Sequence, residues 1–398
     1  MNKIIPLKRA AQIIAGQSPP SQVVSDLDGS QLPFLQGNAE FGSLHPEARS
    51  QCDVAPKKAE RGDILLSVRA PVGALNKADR SYGIGRGLCA IRPAANLDED
   101  FAWWTATGIT PQLAAVATGS TYDAVTADDV GALRIPFPSF VTQRAIAYYL
   151  DRETARIDAL IAAKRRMVEL LDERLQGVVS EVVHARYVVD SKHRLPDGWR
   201  PMQLKRCLTS AAYGIGEAPD ADGEFAVLGM SNISRGEVVG LPGGFVSAVD
   251  DDLLLTPGDL LFNRTNSREL VGKVGLVTSL DQPTTFASYL VRLKVNALAD
   301  AEYLNYLLNS REVLGLARSM ALPSIGQANL NPSRYSAIVL PMPPVEEQRR
   351  LISRLNELAL RAIGMRRTLK SQVVLLQERR QALITAAVTG QLDIPEAA

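Results

Sequence analysis

Two long stretches of the chain carry apolar residues at steps of three, four and seven positions. This spacing puts apolar side chains along one helix face and is typical of a helix that packs against another helix. Prolines precede both stretches but do not interrupt them, so about 40 residues at roughly 1.5 Å each predict a rod near 60 Å long. The predicted contact positions are Ile146, Leu150, Ile157, Leu160, Met167, Leu171 and Val178, then Leu351, Leu355, Leu358, Met365, Leu369, Leu376 and Leu383.

The two stretches are copies of one another. IPFPSFVTQR at 135–144 matches LPMPPVEEQR at 340–349, and LLDERLQ at 170–176 matches LLQERRQ at 375–381 without a gap. The chain therefore alternates globular region, helix, globular region, helix. Such a tandem repeat can fold with approximate two-fold symmetry if the helices lie antiparallel. The predicted segments are globular 1–134, helical 135–187, globular with an entry linker 188–339, helical 340–390 and a tail 391–398.

Shorter elements recur in the globular regions. A Gly-Asp before an apolar run predicts a buried strand in GDILLSVR (62–69) and again in GDLLFNRT (258–265). Helical patterns follow at 101–117 and 301–317, and a polar loop and a strand lead into each long helix. The predicted fold class is mixed α/β (α+β): two copies of a globular domain, separated by two long helices that form an antiparallel coiled coil.

Composition restricts the possible functions. The chain has 398 residues, of which 46% are apolar, enough for more than one buried core. Its 44 basic and 43 acidic side chains give a net charge of +1, so any DNA binding depends on local patches or on partner subunits. The three cysteines lack metal-ligand spacing, which favours reduced thiols and a cytoplasmic location. Neither a signal peptide nor a membrane helix is expected.

Motifs for catalysis are missing from the sequence. It contains no NPPY or DPPY motif for adenine methylation, no HExxH and no Walker phosphate loop, since LVGKVG (270–275) lacks the Ser or Thr after its lysine. GIGRG (83–87) is a short glycine turn without a surrounding βαβ unit. We therefore expect no catalytic residue and no metal site, and the chain is interpreted as a non-catalytic subunit. An enzyme of unknown type stays as an alternative.

The order and duplication of these motifs resemble the specificity subunits of Type I restriction-modification systems. The resemblance covers nearly the whole chain. It is carried by the paired PxP…QR helix starts and by GDILLSVRAPVGALN (62–76), LPDGW (195–199), GDLLFNRTNSRELVGKVGLV (258–277) and IGQANLNPSRYSAIVLPMPP (325–344). The first globular region departs from the pattern in its last loop, where TYDAVTADD (121–129) replaces a Gln-x-Asn loop.

The resemblance implies a division of labour. Each globular region would be a target-recognition domain for one half of a bipartite double-stranded DNA target, and the helices would set the gap and dock two methyltransferase (modification) subunits. Restriction subunits, which are ATP-driven nucleases, would join this core. S-adenosylmethionine, ATP and Mg would be used by the partners, with no cofactor on this chain. The alternative function is a coiled-coil scaffold without a nucleic-acid role.

Candidate DNA contacts follow from the chemistry of base edges. Arg and Lys recognise guanine, whereas Asn and Gln recognise adenine. The alternative interpretation of each candidate is an ordinary solvated surface residue that does not contact DNA. In the first region the candidates are Arg69, Lys77, Arg80, Arg86 and Tyr122, and in the second they are Asn263, Arg264, Asn266, Arg268, Lys273, Gln327 and Asn329.

Overall fold

The computed structural model of the protein describes residues 3–117, 124–324 and 326–395. The chain divides into two compact units. Unit 1 comprises Met1–Arg165 and Lys370–Ala398, and unit 2 comprises Arg166–Leu369. The division falls inside both long helices, so each unit contains one globular region together with a segment of each helix.

Unit 1 is built mainly from short strands. Its strands are β1 (Lys3–Pro6), β2 (Ala11–Ala15), β3 (Val24–Asp26), β4 (Leu32–Leu35), β5 (Ser50–Cys52), β6 (Lys58–Ala59), β7 (Ile64–Ser67), β8 (Leu75–Lys77), β9 (Tyr82–Ile84), β10 (Leu88–Pro93) and β11 (Arg134–Phe137). Its helices are α1 (Glu99–Ala117), α2 (Ala127–Ala132) and the first part of α3 (Phe140–Val182). The strands form an antiparallel sheet in the order β2-β10-β7-β8, a mixed sheet β3-β5-β4-β9-β6 and the pair β1-β11.

Unit 2 repeats this plan with additions. Its strands are β12 (Arg200–Gln203), β13 (Leu208–Tyr213), β14 (Phe225–Leu228), β15 (Ile233–Ser234), β16 (Glu237–Val238), β17 (Phe245–Val246), β18 (Leu260–Asn263), β19 (Thr265–Asn266), β20 (Val274–Leu276), β21 (Thr284–Phe286), β22 (Leu290–Val295), β23 (Leu322–Ser324), β24 (Gln327–Asn329) and β25 (Val339–Met342). Its helices are the rest of α3, α4 (Ala301–Leu308), α5 (Arg311–Met320), α6 (Pro332–Ser336) and most of α7 (Val345–Val388). The order β13-β22-β18-β20 reproduces β2-β10-β7-β8 and continues into β16-β15.

The Gly-Asp strands are buried on both faces, which explains their continuous apolar sequence. In β7, Ile64 and Leu66 pack into the cluster that contains α1, whereas Leu65 packs into the cluster of the β3-β5-β4-β9-β6 sheet. In β18, Leu260 and Phe262 likewise face one cluster, and the residue between them faces the other. The predicted mixed α/β fold is confirmed in both units.

A fully buried glutamine anchors the start of each long helix. In unit 1, Gln143 accepts a hydrogen bond from Asp98 N at 2.8 Å, and its amide donates to the carbonyl oxygens of Asn96 at 3.2 Å and Pro138 at 3.1 Å. This is the glutamine of the repeated PxP…QR motif. Its buried amide ties the helix to the loop before α1, which gives that motif a structural purpose.

Unit 2 contains the same anchor. Gln348 accepts from Asp300 N at 2.7 Å and donates to the carbonyl oxygens of Leu298 at 3.2 Å and Pro343 at 2.9 Å. The two sets of three bonds match one for one. The sequence repeat is therefore also a repeat of the packing at the helix starts.

The long helices contact each other in an antiparallel sense within unit 1. Asp158 pairs with Arg380 at 2.9 Å, and Lys164 donates to Gln372 at 2.7 Å, so the residue number rises on α3 as it falls on α7. In unit 2, Asp172 of α3 pairs with Arg366 of α7. Helix pairing is thus present inside each unit.

The predicted contact positions need partial correction. Leu160 and Met167 are 46% and 53% exposed, and Met365 is 54% exposed. Ile161 is buried and Val168 is half-buried instead. The inward positions keep the expected three- and four-residue steps, but the stripe lies one residue further along α3 in this part.

One predicted helix is broken. The pattern at 301–317 corresponds to two helices, α4 and α5, separated at Asn309 and Ser310. Ser310 is buried and donates through its hydroxyl to Leu307 O at 2.6 Å, which helps to end α4. Both long helices lie inside the predicted segments 135–187 and 340–390.

Candidate nucleic-acid interface

A small sheet in unit 2 brings together candidate residues that lie about 60 positions apart in the sequence. β19 pairs with β24, and β24 pairs with β23. Thr265 lies opposite Asn329, and Asn266 lies opposite Ala328. The pairing continues beyond the strand, because Leu330 N donates to Arg264 O at 2.8 Å. Arg264, Asn266, Gln327 and Asn329 therefore belong to one surface feature.

Arg264 is held in place at the centre of this feature. Its Nη2 donates to Asn329 Oδ1 at 2.9 Å, and its guanidinium lies over the Tyr213 ring at 5.1 Å from the centroid. A longer contact of 3.5 Å joins Nη1 to Ser288 O. A planar guanidinium fixed in this way presents its remaining N–H groups in a defined direction. Tyr213 and Tyr289 beside it are about half exposed.

Asn263 requires a correction. Its side chain is only 1% exposed, and its Nδ2 faces Met230 O at 3.5 Å. Asn263 ends β18, and strand alternation points its side chain into the unit. It therefore lies in the interior and not on the surface where a base could reach it.

The other candidates of unit 2 differ in accessibility. Arg268 and Gln327 are exposed, and Asn266 is half-buried with its Oδ1 accepting from Ser267 N at 2.7 Å. Lys273 is half-buried, and burial, aided by the positive charge of Arg318, lowers the pKa of its ammonium group. Arg268 and Gln327 are thus the most solvent-accessible of these side chains.

In unit 1, Arg69 and Arg86 are both exposed and come close along the backbone. Val68 N, next to Arg69, donates to the carbonyl oxygen of Gly87, next to Arg86, at 3.0 Å. Arg69 also forms an isolated β-bridge with Ala124. The two arginines therefore flank one backbone contact where the inner strands β7 and β10 of the β2-β10-β7-β8 sheet meet their loops.

The remaining candidates of unit 1 are less uniform. Lys77 is paired with Asp100 at 2.7 Å, which offsets its charge. Arg80 is exposed and lies over the Tyr82 ring at 5.6 Å. Tyr122 lies outside the described residues. No contact joins Lys77 or Arg80 to Arg69 or Arg86 in the described part of unit 1.

The backbone around these residues is the same in both units. Val125 N donates to Val68 O at 3.0 Å in unit 1, just as Leu330 N donates to Arg264 O at 2.8 Å in unit 2. Val68 and Arg264 therefore occupy equivalent positions, each one residue beyond the Gly-Asp strand.

The side chains at equivalent positions of the two units differ. Strand registers and backbone bonds align three further positions: Ala15 with Tyr213, Gly87 with Tyr289, and Ala124 with Asn329. Unit 2 thus has an arginine, an amide and two tyrosines where unit 1 has valine, glycine and two alanines. Sequence reasoning missed Tyr213 and Tyr289, since only the tertiary contacts bring them to Arg264.

Among the described residues, no cluster of His, Cys, Asp and Glu has the geometry to hold a metal ion. Likewise, none of the helices in the described ranges is both long and apolar enough to cross a membrane.

Known proteins share the sequence and fold of this chain. A family model for the Type I restriction modification DNA specificity domain matches residues 11–170. The chain is 36% identical over 170 residues to the type I restriction enzyme MjaX specificity subunit of Methanocaldococcus jannaschii, covering 42% of this chain and 39% of that relative. Residues 11–170 therefore carry a DNA specificity domain of the Type I restriction-modification family. To a further family member, the EcoKI specificity subunit of Escherichia coli, it is 22% identical over 289 residues, which are 71% of this chain and 62% of that one.

The likeness in fold to solved structures extends over nearly the whole chain. A chain from a solved type I R-M system matches at a TM-score of 0.74 and 18% identity, with 98% of each chain covered. The HsdS subunit from Thermoanaerobacter tengcongensis matches at a TM-score of 0.55 and 18% identity, covering 98% of this chain and 97% of that one. By sequence, the chain spans less than two thirds of the MjaX and EcoKI relatives, at 39% and 62% of their lengths.

Proposed function

We propose that this chain is the sequence-specific DNA-binding subunit of a Type I restriction-modification complex. Each globular region reads one half of a bipartite double-stranded target, and the chain itself carries no catalytic site. One observation carries the proposal. The same backbone framework occurs in both units but presents Arg264 and Asn329 in one and Val68 and Ala124 in the other. A shared framework with different side chains suits two readers of two different sequences.

The long helices in this proposal set the gap between the half-sites and dock two methyltransferase subunits. Exposed apolar side chains support the docking role because they recur at matching positions of the repeat. Leu160 and Met365 are 46% and 54% exposed, and Leu170 and Leu375 are 46% and 61% exposed. Apolar residues that both helices leave uncovered at the same place are expected at an interface that is used twice.

The partners supply the chemistry. The modification subunits use S-adenosylmethionine, and restriction subunits, where they join, use ATP and Mg. The assembly works in the cytoplasm. Because the net charge of the chain is only +1, DNA binding by the isolated chain is expected to be weak and binding by the full complex much tighter.

The test is to co-express the chain with its cognate modification subunit and to map methylated adenines in the host genome. A two-part motif with a fixed gap is the expected result. A folded complex that leaves no motif would instead support the alternative, a scaffold without a nucleic-acid role.

Paired variants sharpen this test. Arg264→Ala with Arg268→Ala should alter only the half-site read by unit 2, whereas Arg69→Ala with Arg86→Ala should alter only the other half-site. Each pair controls for the other, since both remove two positive charges. Equal loss at both half-sites would show that these arginines serve general affinity or folding.

A further inference from the structure

Arg264 differs from the other candidate cations in how firmly it is held. Arg69, Arg86 and Arg268 are exposed, with no ion pair among the described residues. Arg264 is half-buried and fixed through Asn329 Oδ1 and the Tyr213 ring. A phosphate needs only a nearby positive charge, so a mobile arginine serves it well. Recognition of a base edge needs direction, which a fixed guanidinium provides.

The donor count favours the same conclusion. A guanidinium carries five N–H groups. Asn329 takes one from Nη2, Ser288 O lies 3.5 Å from Nη1, and Nε is buried without a partner among the described residues. The Nη1 and Nη2 edge thus retains N–H groups for a ligand with two adjacent acceptors. In the DNA major groove, O6 and N7 of guanine form such a pair, and Arg is their commonest partner.

We infer that Arg264 is the specificity-determining residue of unit 2 and requires a guanine in its half-site, with Asn329 acting as the positioning residue that orients it. This inference rests on the proposed DNA-reading function and deepens it. Unit 1 has Val68 and Ala124 at the equivalent positions, so its half-site is read by other side chains and does not depend on this pair.

The experiment uses the full chain in complex with its modification subunits and DNA duplexes that carry the methylation motif. Each guanine of the unit 2 half-site is replaced in turn by 7-deazaguanine, which lacks the N7 acceptor. At one position the substitution should weaken binding roughly 5- to 150-fold, as expected for a bidentate pair worth ~1–3 kcal/mol. Arg264→Ala, which removes the guanidinium altogether, should weaken binding to normal DNA and abolish the penalty of that one substitution.

Asn329 has its own pair of variants. Asn329→Ala should reduce the 7-deazaguanine penalty because the guanidinium is no longer oriented. Asn329→Asp should restore the penalty because it keeps the acceptor oxygen. Arg268→Ala, the matched control for Arg264→Ala, should leave the penalty unchanged. Recognition of the unit 1 half-site by the same molecules reports that every variant is folded.

Three results would overturn the inference. They are a unit 2 half-site without guanine, a penalty that survives Arg264→Ala, and a penalty for Asn329→Asp as small as that for Asn329→Ala. A wild-type complex that methylates no bipartite motif would instead defeat the proposed function, and this inference with it.

Discussion

Replacing Gln348 by alanine tests whether the buried amide anchors α7. The side chain is 0% exposed and makes three hydrogen bonds, to Asp300 N and to the carbonyl oxygens of Leu298 and Pro343. Alanine is a better helix former, so helix propensity alone predicts slight stabilisation. The buried backbone groups predict the opposite, because they lose their partner.

The magnitude follows from the groups left behind. A buried polar group without a partner costs ~1–3 kcal/mol, and Gln348→Ala leaves one N–H and two carbonyl oxygens. Water entering the vacated space recovers part of this cost, so we expect a loss of about 3 kcal/mol in the free energy of unfolding of unit 2. For a domain stable by roughly 5–15 kcal/mol, such a loss is large.

Hydrogen–deuterium exchange of the full-length chain measures this loss unit by unit. About 3 kcal/mol corresponds to roughly 100-fold faster exchange of the most protected amides in unit 2. Those of unit 1 should be unchanged. Gln143→Ala should give the converse pattern. Gln176→Ala, an exposed glutamine on the unit 2 segment of α3, is the control and should change neither unit.

Two outcomes would refute this reasoning. A change below about 0.5 kcal/mol would mean that water replaces the amide without penalty. Equal acceleration in both units would mean that Gln348 acts on the chain as a whole and not on the loop before α4.

Three further predictions concern other parts of the chain. Asp63→Ala should destabilise unit 1 by ~2–4 kcal/mol in urea unfolding, because the 2% exposed carboxylate accepts from Arg92 at 2.8 Å and from Glu60 N at 2.8 Å. Among the described residues, the carboxylate of Asp259 accepts only from Thr256. A loss of stability smaller than that caused by Asp259→Ala would contradict the prediction. Burial, with the nearby His193, lowers the pKa of His184, so the unfolded state binds the proton more readily. Unit 2 should therefore lose stability as pH falls below about 6.5. His184→Gly should remove this dependence in thermal melts, and an unchanged slope of melting temperature against pH would refute the assignment. Inserting about seven residues into each long helix where the units divide should widen the gap in the methylation motif by about three base pairs, without changing the bases read. The estimate uses roughly 1.5 Å per helical residue and 3.4 Å per base pair. Altered bases in the motif would contradict the spacing role of the helices.

The repeat and the long helices could be predicted because their signals are local. An ungapped sequence match and the steps of three and four residues need no tertiary information. The position of the apolar stripe on the surface of α3 could not be predicted from the same local signals. Leu160 and Ile161 are both apolar, and the sequence does not show which one faces α7; the structure buries Ile161.

The candidate site, too, was predictable from the sequence only in part. Arg264 and Asn329 could each be named as candidates from residue chemistry, but their contact depends on a strand pairing across about 60 residues. Asn263 was misplaced because the residues that follow it, Arg264 to Arg268, are all polar, while its position at the end of β18 turns it inward. Tyr213 reaches Arg264 only because β13 and β18 both pair with β22, which no local pattern encodes.

The loops that carry Arg264 and Asn329 are fixed by main-chain bonds, such as that from Leu330 N to Arg264 O. Main-chain bonds form with almost any amino acid, so these bonds do not depend on which side chains stand at these positions. Mutations at these positions can accumulate over generations at little cost to folding. A lineage could thereby acquire a new DNA target while the ancestral architecture stays intact.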